Sequence, residues 1–183
     1  MNDYTPFTPF ICTDLAIGWQ SCTELTIDRT YIEGAVVKDR TWNGRAVTMS
    51  DSAFDLMSVV IKASGPGEMR PPALDHVQRL PSFQAVPSFL MPDIFYVGET
   101  MRTLARDPHP GSIRVLTLGF EDVPFTASGR VVTLLAPAPA VLRIYYRPIL
   151  ELTVWEPLKE TTVEGLAEVS WELPCQEVGG PDE

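Results

Sequence analysis

The sequence predicts an all-β protein, a β-sandwich or barrel with at most short helices, and three observations carry that prediction. Short segments of period-two alternation recur along the chain, separated by Gly, Pro, Asn and Asp. Branched and aromatic residues fill many of them, as in "SVVIKA" and "LRIYY". The one long helical spacing fails on inspection. Glu156, Glu160, Glu164, Glu168 and Glu172 recur every fourth residue, but in a helix they would form a repelling stripe. Pro157, Gly165 and the branched run Thr161-Thr162-Val163 also argue against a helix there, and the strand reading stands.

Taken in order, residues 23–29 and 35–38 are the first strands. In "DRTWNGRAVTMS", Asn43-Gly44 predicts a two-residue type I′ hairpin turn between Trp42 and Arg45. Residues 54–63 form a strand with Phe54, Leu56, Ser58 and Val60 on one face, ended by "SGPG". Residues 66–111 are proline-rich and alternate weakly, which predicts an irregular insertion or arm. Within it, "PPALDHVQRL" suits a short helix, with Pro72 in its first turn and Leu74 and Val77 on one side. Residues 100–106 suggest another helical turn. Strands follow at 112–120, 130–135 and 141–147, joined by "EDVPFTASG" and "APAPA".

The last of these strands belongs to "VLRIYYRPILELTVWEP". Leu142, Ile144 and Tyr146 alternate with Arg143, Tyr145 and Arg147, Pro148 interrupts, and a second run occupies 149–156. A proline between two strong strands marks a sheet edge or a bend. Residues 149–156 and 166–173 then read as a terminal hairpin. Ala167, Val169, Trp171 and Leu173 face one way in it; Glu168, Ser170 and Glu172 face the other. The whole is expected to be a single β domain, 1–175, with a disordered acidic tail at 176–183.

Charge is unevenly spread. Of the net −10, residues 1–150 contribute little, with 15 acidic and 13 basic side chains; beyond them stand 9 acidic residues and Lys159 alone. A field of that sign disfavours a grip on nucleic acid, so no sequence-specific nucleic-acid partner is expected. The "RIYYR" platform is accounted for by cross-strand pairing and contact of its arginines with Tyr145. The longest apolar run, "VVTLLAPAPAVL", spans 12 residues broken by Pro137 and Pro139, against about 20 needed to cross a bilayer. No membrane association is expected, and the N-terminal residues lack a signal-peptide pattern, which reads as a protein made and kept in a cytoplasm.

No catalytic signature is present. His76 and His109 are the only histidines, Asp75 beside His76 diverges from it, and His109 lies between two prolines. The phosphate-cradling, dinucleotide and nucleophile-elbow motifs are missing. Cys12, Cys22 and Cys175 show no metal-ligand spacing; Cys12 and Cys22 pair only if the chain doubles back, and buried free thiols are the expectation. No catalytic residue, cofactor or metal is therefore predicted.

Assembly uses more of the residues. Trp155 shares a face with Glu151 and Thr153, opposite Leu150, Leu152 and Val154, which makes it a candidate aromatic anchor. Tyr145 and Arg147 are residue types enriched at interfaces. The apolar stretch "VPSFLMPDIFYV" reads as an arm ordered on a neighbour, offering Phe89, Phe95 and Tyr96.

With "TWNGRAVTM", "FDLMSVVIKASG", "RPPALDHVQRLPSF" and "VLRIYYRPILELTVWEP" on the page, residues 20–157 resemble the small structural proteins at the tail tip of long-tailed, non-contractile bacteriophages, distal-tail or baseplate components especially. That resemblance implies a β-sandwich or barrel related to tail-tube proteins. It implies a hexameric ring, or a trimer of doubled domains, around a DNA channel, with the tail tube and a hub protein as partners. The place implied is the virion tail, assembled in the host cytoplasm. An acidic lumen lets a polyanion slide without sticking, and Glu151, Glu168 and Glu172 are the candidates for it. A monomeric sugar- or protein-binding β module without catalysis is the alternative expectation.

Overall fold

The computed structural model describes residues 9–18, 21, 24–32, 36–50, 55–65, 68–166 and 168–179, with the side chains of 36–38 and 47–50 set aside. The readings for Cys22, Phe54, Ala167 and residues 180–183 lie outside the described residues. The chain is all-β, as expected: fourteen strands accompany a single one-turn helix among the described residues. Its contacts separate two compact units where one domain was expected. The first takes residues 12–84 and those from 151 onward, the second Pro9–Ile11 and Ala85–Leu150.

The first unit is built on a six-stranded antiparallel sheet. Its strands are β1 (Leu25–Tyr31), β4 (Met57–Ala63), β5 (Phe83–Ala85), β12 (Leu150–Val154), β13 (Lys159–Val163) and β14 (Glu168–Glu177). β14 is central. One of its edges pairs with β4 from Trp171 to Gln176; the other is shared by β13, along Glu168–Glu172, and β12, along Cys175–Glu177. Opposed residues share a face, so Ile27, Ile61 and Leu173 form one inward row and Leu25, Ala63 and Trp171 the next. Along β4 the buried set is Met57, Val59, Ile61 and Ala63, and Ser58 and Val60 belong to the half-exposed set between them. Each fully buried aliphatic side chain in these rows contributes about 2 kcal/mol of transfer free energy.

Two sequence expectations change here. The terminal hairpin contains an extra strand, β13, which joins β14 through a turn at 164–166; Glu160, Glu168 and Glu172 all lie on strands. Gln176 and Glu177, assigned by sequence to the disordered tail, complete β14. Helix α1 (Leu74–Val77) stands where "PPALDHVQRL" placed it, with Leu74 and Val77 buried.

The hairpin of β2 (Val36–Arg40) and β3 (Ala46–Ser50) is also present, with a different turn. A type I′ turn needs positive φ at both central residues. Gly44 has φ +81 and Asn43 does not share the left-handed region. The Gly44 N–H donates to the Thr41 carbonyl at 2.8 Å and the Thr41 N–H to the Arg45 carbonyl at 2.9 Å. The loop is therefore longer by a residue, with Gly44 in the left-handed position that such loops require.

Cys12 and Cys175 are buried free thiols of this unit, as expected of both. Burial pushes each up to about 12, from an ordinary 9.0. A thiol whose folded value is raised stabilises fully below the ordinary value, and that contribution fades as pH climbs from 9 toward 12. The urea midpoint is thus expected to fall more steeply above pH 9 in the native chain than in a Cys12→Ala, Cys175→Ala variant. Equal slopes would remove the thiols from the account.

The second unit holds two three-stranded sheets. In one, β11 (Leu142–Tyr146) lies between β6 (Met91–Phe95) and β8 (Arg114–Leu116); in the other, β10 (Val131–Leu134) lies between β7 (Met101–Thr103) and β9 (Phe125–Ser128). Phe95 opposes Leu142, and Met91 opposes Tyr146, whose hydroxyl lies 3.9 Å from the Met91 sulfur. Both pairs are buried.

Three expectations are corrected in this unit. Met101–Thr103, inside the 100–106 stretch, form strand β7 rather than a helical turn, and the Thr100 carbonyl, accepting from Leu134, and the Leu104 N–H, donating to Arg130, continue its pairing in place of any i→i+4 pattern. "EDVPFTASG", read as a loop, contains β9. The strand at 112–120 stops at Leu116, where Thr117 turns the chain by accepting from Phe120 and donating to Glu121. The proline-rich 66–111 stretch is accordingly not one irregular insertion. It is divided between the units and carries α1 and β5 to β7.

Candidate functional site

The candidate assembly residues are best taken unit by unit. In the second, β11 keeps its predicted alternation: Leu142, Ile144 and Tyr146 are buried, Arg143 and Tyr145 half-exposed. Pro148 makes an isolated bridge with Pro108, and β11 and β12 join different sheets.

Arg147 is half-exposed and gathers backbone carbonyls. Its Nε donates to the Pro87 carbonyl at 3.0 Å, and its Nη2 donates to the carbonyls of Val86, at 3.2 Å, and Pro9. Its backbone N–H donates to Ser112 Oγ at 3.1 Å, and its carbonyl accepts from the His109 N–H at 2.8 Å. The guanidinium is thus engaged inside its own unit. Segments around Pro9 and Pro87 have few ladder partners, and a planar fork of five donors is suited to gathering their carbonyls.

Phe95 is corrected: it is 0% exposed and belongs to the core. The sequence signal was its apolar neighbourhood, which describes a β-core as well as an arm. Phe89 is half-buried. Tyr96 is 53% exposed, with the Arg102 guanidinium 6.0 Å from its ring centre. Arg102 in turn donates to Asp93 Oδ1 through Nε at 3.1 Å and Nη2 at 2.9 Å, a fork that sequence reading did not find. Of the sequence candidates in this unit, Tyr96 and Tyr145 retain surface, and Phe95 and Arg147 serve the fold.

The sheet of β7, β10 and β9 offers a face without charge. Register aligns Met101, Thr133 and Thr126 in one row, and Thr103, Val131 and Ser128 in the next. Nothing in the sequence announced it, because β9 was read as a loop.

In the first unit, Trp155 is 65% exposed and its backbone N–H donates to the Pro174 carbonyl at 3.0 Å. Register places Trp155, Thr153 and Glu151 on the same face as Gln176, Glu172 and Glu168. The three acidic candidates therefore share one sheet face, but they are not a bare acidic field. Lys159 Nζ lies 3.5 Å from Glu172 and 3.6 Å from Glu156, and Lys62, opposite Glu172, pairs with Asp28. Glu151 accepts from the Ser82 hydroxyl.

Asp75, next to His76 on α1, is taken by Arg70, whose hydrogen bond holds its carboxyl below the usual carboxylate range. Among the described residues, no three His, Cys, Asp or Glu gather as a metal site, and no helix is long and apolar enough to cross a membrane. Scans against protein-family models, curated proteins and solved structures return no match to this chain.

Proposed function

We propose that this protein is a structural subunit of a virion, a ring-forming component of a phage tail tip that links the tail tube to the hub and encloses the DNA channel. It acts by assembly, without catalysis or cofactor. The observation that carries the reading is Trp155. A large indole stands mostly exposed on a sheet face that also carries Glu151, Glu168, Glu172 and Lys62, in a chain of net charge −10. Exposed aromatics of this kind are the residues that anchor interfaces once a partner excludes water from them. The shared face of Glu151, Glu168 and Glu172 supports a lumen role, moderated by Lys62 and Lys159.

The test is the particle mass across a concentration series, by light scattering behind a sizing column, followed by imaging. A hexamer or trimer that dissociates on Trp155→Ala, with folding unchanged, is the expected result. A monomer at every concentration, with or without hub and tube proteins from the same virion, overturns it. A glycan bound by that monomer and lost on Trp155→Ala would establish the binding-module alternative.

A further inference from the structure

We infer that strand β9 is a docking edge for a second copy of this chain, the two β9 strands pairing antiparallel about a two-fold axis at Ala127. This deepens the assembly reading by naming a surface, and rests on it only in requiring self-association.

Exposed edges in natural sheets are usually guarded by charge or proline. β3 and β5 also end sheets without either guard, two of the three β5 residues being buried, but most edges here follow that rule: Asp28 and Arg29 on β1, Lys159 and Glu160 on β13, Arg102 on β7, Pro92 and Asp93 on β6. β9, Phe-Thr-Ala-Ser, carries neither, and Thr126, Ala127 and Ser128 are all exposed.

The register says which backbone groups await a partner. β9 and β10 are joined by the two residues Gly129 and Arg130, with Gly129 at φ +55. In a two-residue hairpin the flanking pair, here Ser128 and Val131, is the hydrogen-bonded one. Alternation then aims the N–H and C=O of Ala127 and Phe125 away from β10. Among the described residues, neither pair of groups has a backbone partner on that outer side.

A strand with this pattern is complementary to itself. Two-fold pairing about Ala127 lets each Ala127 N–H donate to the other copy's Ala127 carbonyl, and sets Phe125 opposite Gly129. Thr126 then faces Ser128 as a non-hydrogen-bonded pair, the closer kind, which suits contact between hydroxyls. No charged residue opposes another, so copies of net charge −10 meet without juxtaposing like charges. The uncharged rows from Met101 to Thr126 and from Thr103 to Ser128 would continue across the axis. Four residues of edge bury far less than the roughly 1,600 Å² of a standard interface, so the contact is weak alone and reinforced by others.

Ala127→Cys in a Cys22→Ser background tests it. Opposed Cα atoms of a hydrogen-bonded pair lie about 5.5 Å apart, within disulfide range. With oxidised glutathione, this variant should form a covalent dimer in far higher yield than Thr103→Cys, an exposed control on β7. Ala127→Pro, which removes only the outward N–H from an edge strand, should weaken the measured dimerisation about tenfold or more. Yields no higher than the control, or unchanged association of the proline variant, overturn the β9 contact. If oligomers still form, β9 alone is wrong; if the native chain stays monomeric throughout, assembly falls with it.

Discussion

Arg147→Ala is expected to lower the stability of the second unit by about 3 kcal/mol, because it strands the Pro9 and Pro87 carbonyls at once and leaves Val86 with the Ile11 N–H alone. The Pro9, Val86 and Pro87 oxygens all accept from this one guanidinium. A lysine reaches one or two of them and lacks the planar fork, so Arg147→Lys should recover only part of the loss. The two units can be followed separately, since all four tryptophans lie in sequence ranges of the first. Amide hydrogen exchange over residues 85–150 should quicken strongly in Arg147→Ala, with tryptophan fluorescence little changed. Wild-type exchange in that range would mean the carbonyls are satisfied without Arg147.

Phe95→Ala is the second large effect. Truncating a fully buried phenylalanine loses transfer free energy and leaves a cavity, together about 3–5 kcal/mol. Phe95 lies opposite Leu142, at the centre of the second unit's buried set. Urea unfolding monitored by exchange over 85–150 should show most of that unit's stability gone. Trp155→Ala should instead stay within about 0.5 kcal/mol of the native chain in folding. Equal losses from both would place Trp155 in a core and withdraw it as an anchor.

These two residues show where sequence patterns stopped being informative. Period two identified β11 and its buried Leu142, Ile144 and Tyr146, because alternation is a direct consequence of the pleat. It also put Trp155 on the polar side of β12. Arg147 continues the same alternation, yet its role depends on carbonyls up to 138 residues away in the chain, which no local pattern encodes. Phe95 was misread because β6 is interrupted by Pro92 and Asp93, so a core strand took on the appearance of an arm. β9 was missed for a related reason: four residues flanked by Pro124 and Gly129 look like a loop until β10 supplies the pairing. The acidic face was half legible. Parity grouped Glu151, Glu168 and Glu172 correctly, but the lysines between them come from β13 and β4, and only the pairing order reveals that.

The central position of β14 has a consequence for the order in which this protein is made. β4 carries four buried apolar side chains, and its principal neighbour on one edge arrives far later: the Met57 N–H donates to the Glu177 carboxylate, 120 residues downstream. The second unit needs nothing beyond Leu150. Its last residue is therefore made while "MSVVIKA" has β1 on one edge and still lacks β14 on the other. High sequence separation makes such closure slow, so the first unit spends the longest time open to mispairing. A chain truncated after residue 150 should hold a protected 85–150 region and a β4 whose amides facing β14 are unprotected, a difference that hydrogen exchange would read directly.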